Sequence, residues 1–546
     1  MVYTPCRWAI TEKKVYGGIT LMRVLISDNI SNEGVEILRQ AGLEVDVKVG
    51  LPKDELIASL ADYDGIVIRS ATKLTADVIE STTRLKVIGR AGSGLDNVDK
   101  AAATRKGIVV MNTPGGNTIT TAEHTMSLML SLARKVPQAT ASMKDGKWEK
   151  KKFMGVELYN KTLGIVGMGN IGTQVAKKAQ GLEMNVIGYD PFLQEELALQ
   201  MGIKKVSIQE LFKNADIITV HTPLTAETKN LINKDSIATM KDGVRIINCA
   251  RGGIVNEQDL YDAIKSGKVA GAALDVFEQE PPENSPLVKL DEVICTPHLG
   301  AATVEAQENV ALAVAAQVAD YLVNGTIRNA VNFPSIPADQ VSTLKPYIDL
   351  AERMGCFACQ FIEEEVREIN IELCGEAAEI NDAPVTLATM KGFLSPILEA
   401  TVNFVNASVI AKDRGIEVKV TKTAEAGDYY TMLSLKIKTD RTEHILSGTL
   451  FSKRDPRIIK VNNFHIEIIP DGIMLFISNN DKPGVIGNIG NLLGQAGINI
   501  ARMNFGRETK GGKAVSVVSV DSDIGTEIMN RIKGLPNILS VKKITI

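Results

Sequence analysis

A glycine-rich run lies between an apolar segment and a helical segment in the first half of the chain. The sequence "TLGIVGMGNIGTQVAKKAQ" places Gly167, Gly169 and Gly172 after a predicted strand and at the start of a predicted helix. In this context the first glycine permits a tight turn, the second lets the backbone approach a pyrophosphate, and the third allows close helix packing. The helix N-terminus then offers free N–H groups to the phosphates. The pattern predicts a Rossmann-type dinucleotide-binding domain.

An aspartate, Asp190, ends the next predicted strand, "MNVIGYD". A carboxylate at this place accepts hydrogen bonds from the adenosine ribose hydroxyls, and its charge repels a ribose phosphate. We therefore expect NAD rather than NADP as the cofactor. The alternative is an ordinary glycine turn followed by a solvent-exposed aspartate, which would bind no cofactor.

Short β-branched runs alternate with helical stretches on both sides of this motif. One series runs from "RVLISD" to "LKVIGRAGSG", and a second from "TLGIVGMGNIG" to "EVICTPHLG". Strands separated by helices predict βαβ units and parallel sheets. The run "TTAEHTMSLMLSLARKV" predicts a long helix that crosses from one domain to the other. The final segment, residues 471–546, predicts a small unit with the order strand, helix, strand, strand, helix, strand.

Length, charge and cysteine content exclude several classes of protein. With 546 residues the chain is too long for one hydrophobic core. Its formal net charge of −4 argues against a nucleic-acid partner held by charge. No apolar run reaches the roughly 18 to 20 residues that span a bilayer, so no membrane partner is expected. Six sparse cysteines favour a reducing, cytoplasmic compartment. The lone "CFAC" motif has a metal or redox role as one interpretation, but helical spacing on a buried face explains it equally well, so no metal is expected.

Three polar residues follow separate predicted strands downstream: Arg251 in "NCARGG", Glu280 in "DVFEQEPP" and His298 in "CTPHLGA". Hydride transfer from a secondary alcohol to NAD requires a group that takes the hydroxyl proton, and histidine has the pKa nearest neutrality. A carboxylate next to the histidine orients its ring. An arginine guanidinium binds a substrate carboxylate through two parallel hydrogen bonds. The set predicts oxidation of a 2-hydroxy acid.

Each of these residues also has a plain structural interpretation. Arg251 can be a surface charge, Glu280 a loop carboxylate, and His298 a satisfied histidine at a strand end. His221 in "VHTP" is the rival for the histidine role, because it also ends a predicted strand. The predicted nicotinamide site favours the catalytic interpretation of the set. The remaining histidines are expected to be structural: His124, His444 and His465.

Several of these segments together resemble the D-isomer-specific 2-hydroxyacid dehydrogenases: "GMGNIG" with "YDP", "NCARGGIVNEQDL", "ALDVFEQEPP" and "TPHLGAAT". "IRSATKLTADVI", "GRAGSGLDNVD" and "NTPGGNT" narrow the resemblance to the long-form members that oxidise 3-phosphoglycerate. The resemblance implies oxidation of D-3-phosphoglycerate to 3-phosphohydroxypyruvate with NAD, the first step of the phosphorylated pathway of L-serine biosynthesis. One alternative is a glyoxylate or hydroxypyruvate reductase. Another, from a different class, is a non-catalytic module that senses NAD.

The resemblance also implies the arrangement of the domains. A Rossmann-type nucleotide domain is inserted in a flavodoxin-like α/β substrate domain, and an α+β intervening domain and a βαββαβ ACT domain follow. The intervening domain is expected to help assemble a homotetramer. The implied boundaries are an N-terminal extension at 1–21, the substrate domain at 22–118 with a return segment at 302–332, the NAD-binding domain at 119–301, the intervening regulatory and assembly domain at 333–470, and the ACT domain at 471–546.

The resemblance assigns roles to individual residues. His298 is implied as the acid/base, Glu280 as its partner and Arg251 as the anchor of the substrate carboxylate. The implied cofactor contacts are Ser93, Gly167, Gly169, Asn170, Ile171, Gly172, Asp190, Thr222, Cys249, Ala250, Arg251, Asp275, His298, Leu299, Gly300 and Ala301. The implied substrate contacts are Arg69, Ser70, Arg90, Gly92, Asn117 and Arg251. Ser93 replaces a threonine common in the family and keeps its hydroxyl.

The segment "ISNNDKPGVIGNIGNLLGQAGINIARM" resembles the opening of an ACT domain, a module that binds amino acids at subunit contacts. Its Asp-x-Pro-Gly turn leads into a helix whose N-terminus can bind a carboxylate. The ligand in the family is serine, and the implied contacts are Asn479, Asp481 and Asn499, with Asp481 receiving the amine. Asn479 stands where relatives have histidine or tyrosine, which leaves feedback by serine open.

Overall fold

The computed structural model describes residues 21–334, 340–398 and 402–546. The extension expected at residues 1–21 therefore lies outside the described residues, apart from Leu21. Within the described ranges the strands form four sheets, two of them parallel. None of the helices described there is both long enough and apolar enough to cross a membrane.

The first sheet is parallel and contains five strands of the described chain, in the order β2-β1-β3-β4-β5. This is the flavodoxin-like order. Its central strand β3, "GIVI", is buried along its whole length, as expected for a parallel sheet covered on both faces. The elements are β1 Arg23–Ile26, α1 Asn32–Gln40, β2 Glu44–Val47, α2 Lys53–Leu60, β3 Gly65–Ile68, α3 Ala76–Glu80, β4 Val87–Arg90, α4 Lys100–Arg105 and β5 Val109–Met111.

The second sheet is also parallel, with the order β12-β11-β10-β9-β6-β7-β8. The chain order reverses next to β6, so a crevice opens at the carboxyl ends of β6 and β9, where such sheets bind nucleotides. The helices are α5 Thr118–Arg134, which is the predicted crossing helix, α6 Val136–Lys144, α7 Asn170–Gly181, α8 Glu195–Gln200, α9 Ile208–Asn214, α10 Lys234–Thr239 and α11 Glu257–Lys265. The strands are β6 Thr162–Val166, β7 Asn185–Tyr189, β8 Lys204–Lys205, β9 Ile217–Val220, β10 Val244–Asn248, β11 Val269–Leu274 and β12 Val293–Cys295.

The chain then returns to the first sheet through one long helix, α12 Val304–Asn324. Its buried valines Val310, Val314 and Val318 recur every four residues and pack on the core of the first sheet. The nucleotide-type sheet is therefore inserted within the chain of the flavodoxin-like sheet, and the predicted fold class is confirmed for this half.

The third sheet mixes parallel and antiparallel strands in the order β14-β13-β15-β16-β17-β18. It packs against two long antiparallel helices, which share one hydrophobic core with it. A loop before the last helix of this region reaches the first sheet, where Asn403 Nδ2 donates to Gly107 O over 2.8 Å. The elements are α13 Val341–Phe361, β13 Val366–Gly375, α14 Asp382–Leu398, α15 Ala407–Asp413, β14 Glu417–Thr423, β15 Thr431–Thr439, β16 Glu443–Phe451, β17 Asp455–Val461 and β18 Phe464–Ile468.

The last unit is the predicted βαββαβ module, with sheet order β20-β21-β19-β22. One face of this sheet is covered by its own two helices. The other face packs on α13, where the rings of Phe357 and Phe476 meet edge to face at 6.1 Å between centroids. The elements are β19 Ile473–Asn480, α16 Val485–Gln495, β20 Ile500–Arg507, β21 Lys513–Val520, α17 Thr526–Lys533 and β22 Ile538–Thr545.

Candidate active site

The predicted acid/base pair is formed at the carboxyl ends of β11 and β12. His298 Nδ1 lies 2.8 Å from Glu280 Oε2, and Glu280 Oε1 accepts the N–H of Phe277 at 3.2 Å. Both side chains remain accessible, with 51% of His298 and 39% of Glu280 exposed. Since the carboxylate accepts from Nδ1–H, Nε2 of the neutral ring is free to accept a proton.

The ionisation of the pair follows from this contact. The hydrogen bond to Glu280 raises the pKa of His298 above its ordinary value, although burial opposes the rise. Burial alone would raise the pKa of Glu280, yet the bond and charge of His298 hold it below its usual range. The pair therefore stabilises a protonated imidazole beside a carboxylate, as a base that takes up a proton requires.

A buried carboxylate holds the turn that carries His298. The backbone of His298 has a φ of +55°, and its N–H donates to Asp275 O at 3.0 Å. The Asp275 carboxylate, in a residue 1% exposed, accepts the N–H groups of Leu299 at 2.7 Å and Gly300 at 2.8 Å. Burial would raise the pKa of Asp275, but hydrogen bonds from His124, Thr296 and the N–H of Leu299 lower it below its usual range. Asp275 therefore fixes the backbone on which His298 stands.

The crossing helix α5 supplies a residue that the sequence interpretation left out of the site. His124 Nε2 lies 3.1 Å from Asp275 Oδ1 and 3.2 Å from Thr296 Oγ1. One turn earlier on the same helix face, Thr121 Oγ1 donates to Gly300 O at 2.9 Å. The spacing of three residues between Thr121 and His124 is the sequence signal that both face one partner. Through Asp275, His124 therefore helps to hold the turn that carries His298.

The predicted carboxylate anchor, Arg251, follows β10 and faces a loop of the other α/β sheet. Its Nε lies 3.0 Å from Oδ2 of Asp96, which follows β4. Asn248 holds the arginine loop, because its Nδ2 donates to Arg251 O at 2.8 Å and its Oδ1 accepts from Ala250 N at 3.0 Å. The carboxyl ends of the two parallel sheets therefore meet at this ion pair. Asp96 was not among the predicted site residues.

Two glycines of "GRAGSG" make room for arginine side chains. A Cβ atom on Gly92 would lie 2.1 Å from Arg90 Nη1, and one on Gly94 would lie 2.4 Å from Arg251 Nη2. Burial lowers the pKa of Arg90, and the nearby charges of Arg251 and Arg69 lower it further. The charges of Asp96 and Asp28 act on Arg90 in the opposite direction, so this region combines three arginines with two carboxylates. An anionic ligand that displaces a carboxylate from an arginine would suit it.

The glycine-rich turn has the geometry that a pyrophosphate requires. Gly167 has a φ of +94°, and a Cβ there would lie 2.6 Å from His221 O. Helix α7 begins at Asn170 with Gly169 as its N-cap and no side chain capping its N–H groups. Asp190 accepts the N–H of Met168 at 2.9 Å. The predicted residues therefore fit a dinucleotide.

Another predicted cofactor contact, Thr222, points to the same conclusion. Its hydroxyl is buried, and it makes no hydrogen bond within the described chain. A buried polar group without a partner is rare in proteins, and a bound ligand is one way to satisfy it. In the residue next to it, His221, Nε2 lies 3.0 Å from Thr219 Oγ1, whereas Nδ1 is buried and, like the Thr222 hydroxyl, makes no hydrogen bond within the described chain.

The sequence of the chain matches three family profiles. Residues 126–300 match the NAD binding domain of the D-isomer specific 2-hydroxyacid dehydrogenases, residues 343–462 the D-3-phosphoglycerate dehydrogenase intervening domain, and residues 473–537 the ACT domain. A D-3-phosphoglycerate dehydrogenase of Methanocaldococcus jannaschii is 44% identical over 96% of this chain and 100% of its own length. One of Archaeoglobus fulgidus is 45% identical over 95% and 99%.

The chain belongs to the D-3-phosphoglycerate dehydrogenase family. The resemblance inferred from its motifs is therefore confirmed. A solved structure of a glyoxylate reductase from Paecilomyes thermophila is 29% identical, covers 57% of this chain and 99% of its own, and has a TM-score of 0.53. The two-sheet fold is thus shared with an enzyme that is named for glyoxylate, so the fold alone does not decide the substrate.

His221, the rival candidate for the acid/base, lies in a different environment from His298. Burial lowers the pKa of His221 to about 4, so its ring is neutral near pH 7. Its hydrogen-bond partner is the hydroxyl of Thr219, whereas the partner of His298 is the carboxylate of Glu280. The geometry therefore favours His298 as the acid/base.

Two further predicted cofactor contacts, Ser93 and Cys249, lie in different environments. Ser93 Oγ donates to Asn117 Oδ1 at 3.2 Å, which brings a predicted cofactor contact and a predicted substrate contact together. Cys249 is buried, and burial raises its pKa to about 12, so the thiol is inert near neutral pH.

Among the described residues no group of acidic, histidine or cysteine side chains could hold a metal ion. Cys356 and Cys359 of "CFAC" are free thiols on α13.

The three predicted effector contacts of the ACT domain do not converge within one chain. Asn479 pairs with Ala514 near one end of β21, and Asp481 next to it accepts the N–H of Gly511 at 2.9 Å. Asn499 lies at the other end, where its backbone carbonyl accepts the N–H of Asp521. The two places are about 23 Å apart at roughly 3.3 Å per residue. A ligand that touches all three would need residues from a second copy of the chain.

Proposed function

We propose that this chain oxidises D-3-phosphoglycerate to 3-phosphohydroxypyruvate with NAD, the first step of the phosphorylated pathway of L-serine biosynthesis. The observation that carries the proposal is the contact of His298 with Glu280, beside Arg251, whose charge acts both on His298 and on Arg90. A base can take the proton of the substrate hydroxyl, and arginines can bind the substrate carboxylate and phosphate. The full-length relatives that carry this enzyme name support the same substrate.

The residues have distinct parts in the proposed reaction. Nε2 of His298 accepts the proton of the substrate hydroxyl, and Glu280 stabilises the imidazolium that results. Arg251 exchanges Asp96 for the substrate carboxylate. NAD, when bound, accepts the hydride from the carbon that carries the hydroxyl. We assign the substrate phosphate to Arg69, Ser70 and Arg90.

The cofactor part of the proposal depends on three protein features. The uncapped N–H groups at Asn170, Ile171 and Gly172 favour a pyrophosphate. Asp190 favours ribose hydroxyls over a ribose phosphate. Asp275 and the turn that it holds border the nicotinamide, with Leu299, Gly300 and Ala301 next to His298 in the chain.

The alternative within the family, a glyoxylate or hydroxypyruvate reductase, has a substrate without a phosphate. Such an enzyme has no use for Arg69 and Arg90, and burying Arg90 without a phosphate to bind is a cost. A non-catalytic NAD sensor, in turn, has no use for the His298 and Glu280 pair. Both alternatives therefore leave observed features without a purpose.

Initial rates with 3-phosphoglycerate and NAD test the main proposal. We expect turnover with this substrate, and in the reverse direction a higher kcat/KM for 3-phosphohydroxypyruvate than for hydroxypyruvate. A higher kcat/KM for hydroxypyruvate or glyoxylate would replace the proposal with the reductase. No activity on any 2-keto acid, together with measurable NAD binding, would favour the sensor.

We infer that the ACT domain binds an amino acid, and we propose L-serine as this effector. Contacts from Asn479 and Asp481 of one chain and Asn499 of another would form the site. Serine added to the rate measurements tests this inference. Unchanged rates, together with no serine binding by calorimetry, would refute it without affecting the proposed reaction.

We further propose a homotetramer in the cytoplasm, with the domain boundaries expected from the sequence. The four sheets and the three matched family profiles support the division at residues 118, 301, 332 and 470. The described cysteines are free thiols, which suits a reducing compartment. Sedimentation velocity of the full chain measures the assembly, and a monomer or dimer would refute the tetramer.

A further inference from the structure

The turn between β3 and α3, Arg69–Thr72, carries two of the proposed phosphate contacts, Arg69 and Ser70. We name it the RSAT turn after its sequence. Four backbone groups at its two ends are bound by two side chains from other segments. The N–H groups of Arg69 and Thr72 donate to one of these side chains, and the carbonyl groups of the same residues accept from the other.

The first side chain is Asp28, which follows β1 and is 4% exposed. Its Oδ2 accepts the N–H of Arg69 at 2.5 Å and the N–H of Thr72 at 3.2 Å. Its Oδ1 accepts the hydroxyl of Thr72 at 2.9 Å. Hydrogen bonds to a buried charged acceptor are the strong class, and removing one partner leaves the others unsatisfied.

The second side chain is Asn97, which follows the "GRAGSG" segment. Its Nδ2 donates to Arg69 O and to Thr72 O, each at 2.6 Å. The backbone carbonyl of Asn97 also accepts the N–H of Leu74 at 2.8 Å, just beyond the RSAT turn. Asp28 and Asn97 thus hold opposite sides of the same turn.

We propose that Asp28 and Asn97 are positioning residues that give this enzyme its preference for a phosphorylated substrate. The inference rests on the proposed function and deepens it. The Arg69 side chain is long, and its Nη1 donates to Asn29 O at 3.1 Å. Fixing its backbone as well reduces the entropy lost when its guanidinium binds a phosphate. Neither side chain is proposed to touch the substrate. Their effect is expected in the recognition of the phosphate and not in proton transfer at His298.

Charge offers a competing effect of Asp28. Its carboxylate also acts on Arg90, whose pKa it raises against the effect of burial. Removing that negative charge would by itself strengthen the attraction of the arginine cluster for a phosphate. Asp28→Asn changes the local charge, whereas Asn97→Ala does not. The two variants together therefore separate positioning from charge.

The experiment compares Asp28→Asn, Asn97→Ala and Thr72→Val with the wild type. The control is Asp54→Asn, which makes the same charge change as Asp28→Asn at an exposed position in helix α2. In the reverse direction we expect kcat/KM for 3-phosphohydroxypyruvate to fall about tenfold or more in the first two variants, because Asp28→Asn weakens the bonds to a buried carboxylate and Asn97→Ala removes two amide hydrogen bonds. For hydroxypyruvate it should change less than about threefold. KM for NADH should stay unchanged. Thr72→Val loses one bond and should show a smaller effect in the same direction.

Two outcomes would overturn the inference. One is tighter binding of the phosphorylated substrate in Asp28→Asn with no change in Asn97→Ala, because charge would then dominate. The other is an equal loss with both substrates in Thr72→Val and Asn97→Ala, because the turn would then support the fold alone. If the wild type prefers hydroxypyruvate, the proposed function itself fails, and this result is distinct from both outcomes.

Discussion

His298 Nδ1 and Glu280 Oε2 are 2.8 Å apart, although the residues follow different strands of the second sheet. The contact orients the ring and leaves Nε2 available for the substrate. It also raises the pKa of His298 and lowers that of Glu280. The proposed catalysis and its pH dependence therefore both depend on this pair of side chains.

Replacing the histidine tests its role as the base. In His298→Ala we expect kcat to fall by roughly two to four orders of magnitude, since general base catalysis supplies a factor of this size. Affinity for NADH, measured by fluorescence titration, should change little. His465→Ala, at an exposed position on β18, is the control. Near-normal turnover in His298→Ala would contradict the assignment.

Replacing the carboxylate tests the coupling of the pair. Oxidation requires a neutral His298, so kcat/KM should fall as the pH drops through the pKa of that residue. Glu280 raises this pKa, so in Glu280→Gln the acidic limb of the profile should move to lower pH and the maximal rate should fall. Glu278→Gln, at an exposed carboxylate two positions earlier, should leave the profile in place. If the acidic limb of the pH profile stays in place in Glu280→Gln, Glu280 has no role in setting the pKa of His298.

Removing the charge of Asp96 tests whether this residue competes with the substrate for Arg251. The two side chains form an ion pair at 3.0 Å, and Asp96 is well exposed. Exposed ion pairs are weak, so Asp96→Asn should lower KM for 3-phosphoglycerate by up to about fivefold. Asp62→Asn, at an exposed aspartate in the turn between α2 and β3, is the matched control. A higher KM would mean that Asp96 aligns the guanidinium instead.

The preference for NAD is assigned to the charge of Asp190. Asp190→Asn keeps the size of the side chain and removes the repulsion of a ribose phosphate. We expect the ratio of kcat/KM for NAD over NADP to fall by about tenfold or more. Asp190→Ala also removes the acceptor for the Met168 N–H, so it should weaken NAD binding as well. An unchanged ratio in Asp190→Asn would place the selectivity elsewhere.

Steric limits at the glycine-rich turn give a test of the cofactor loop. In Gly167→Ala the new methyl would lie 2.6 Å from His221 O at a φ of +94°. We expect NADH affinity to fall at least about tenfold and Tm to drop by several degrees, because both backbone segments must shift. Gly181→Ala, at the end of α7, meets nothing within 4 Å, so NADH affinity should stay unchanged and Tm should stay the same or rise slightly, because alanine favours a helix over glycine. Equal behaviour of the two variants would contradict the assigned geometry.

Local sequence patterns predicted the contact between His298 and Glu280 because each residue lies in its own short motif at a strand end. Parallel sheets bring such strand ends to one edge, so "DVFEQEPP" and "CTPHLGA" could be joined without coordinates. The role of His124 was missed for the opposite reason. Its partner Asp275 is 151 positions away, and only the docking of α5 brings the two side chains to 3.1 Å.

The sequence by itself determined the fold class, the cofactor motif and the identity of His298, Glu280 and Arg251 as a set, because periodicity and short motifs are local properties of the chain. The contact of His298 with Glu280 was predicted, but tertiary structure alone decided the other groups that these residues meet. It paired Arg251 with Asp96 across two sheets, and it clamped Arg69 between Asp28 and Asn97. It also separated Asn499 from Asn479 by the length of a strand. These contacts depend on the distances between segments that are remote in the chain, and local pattern carries no record of such distances.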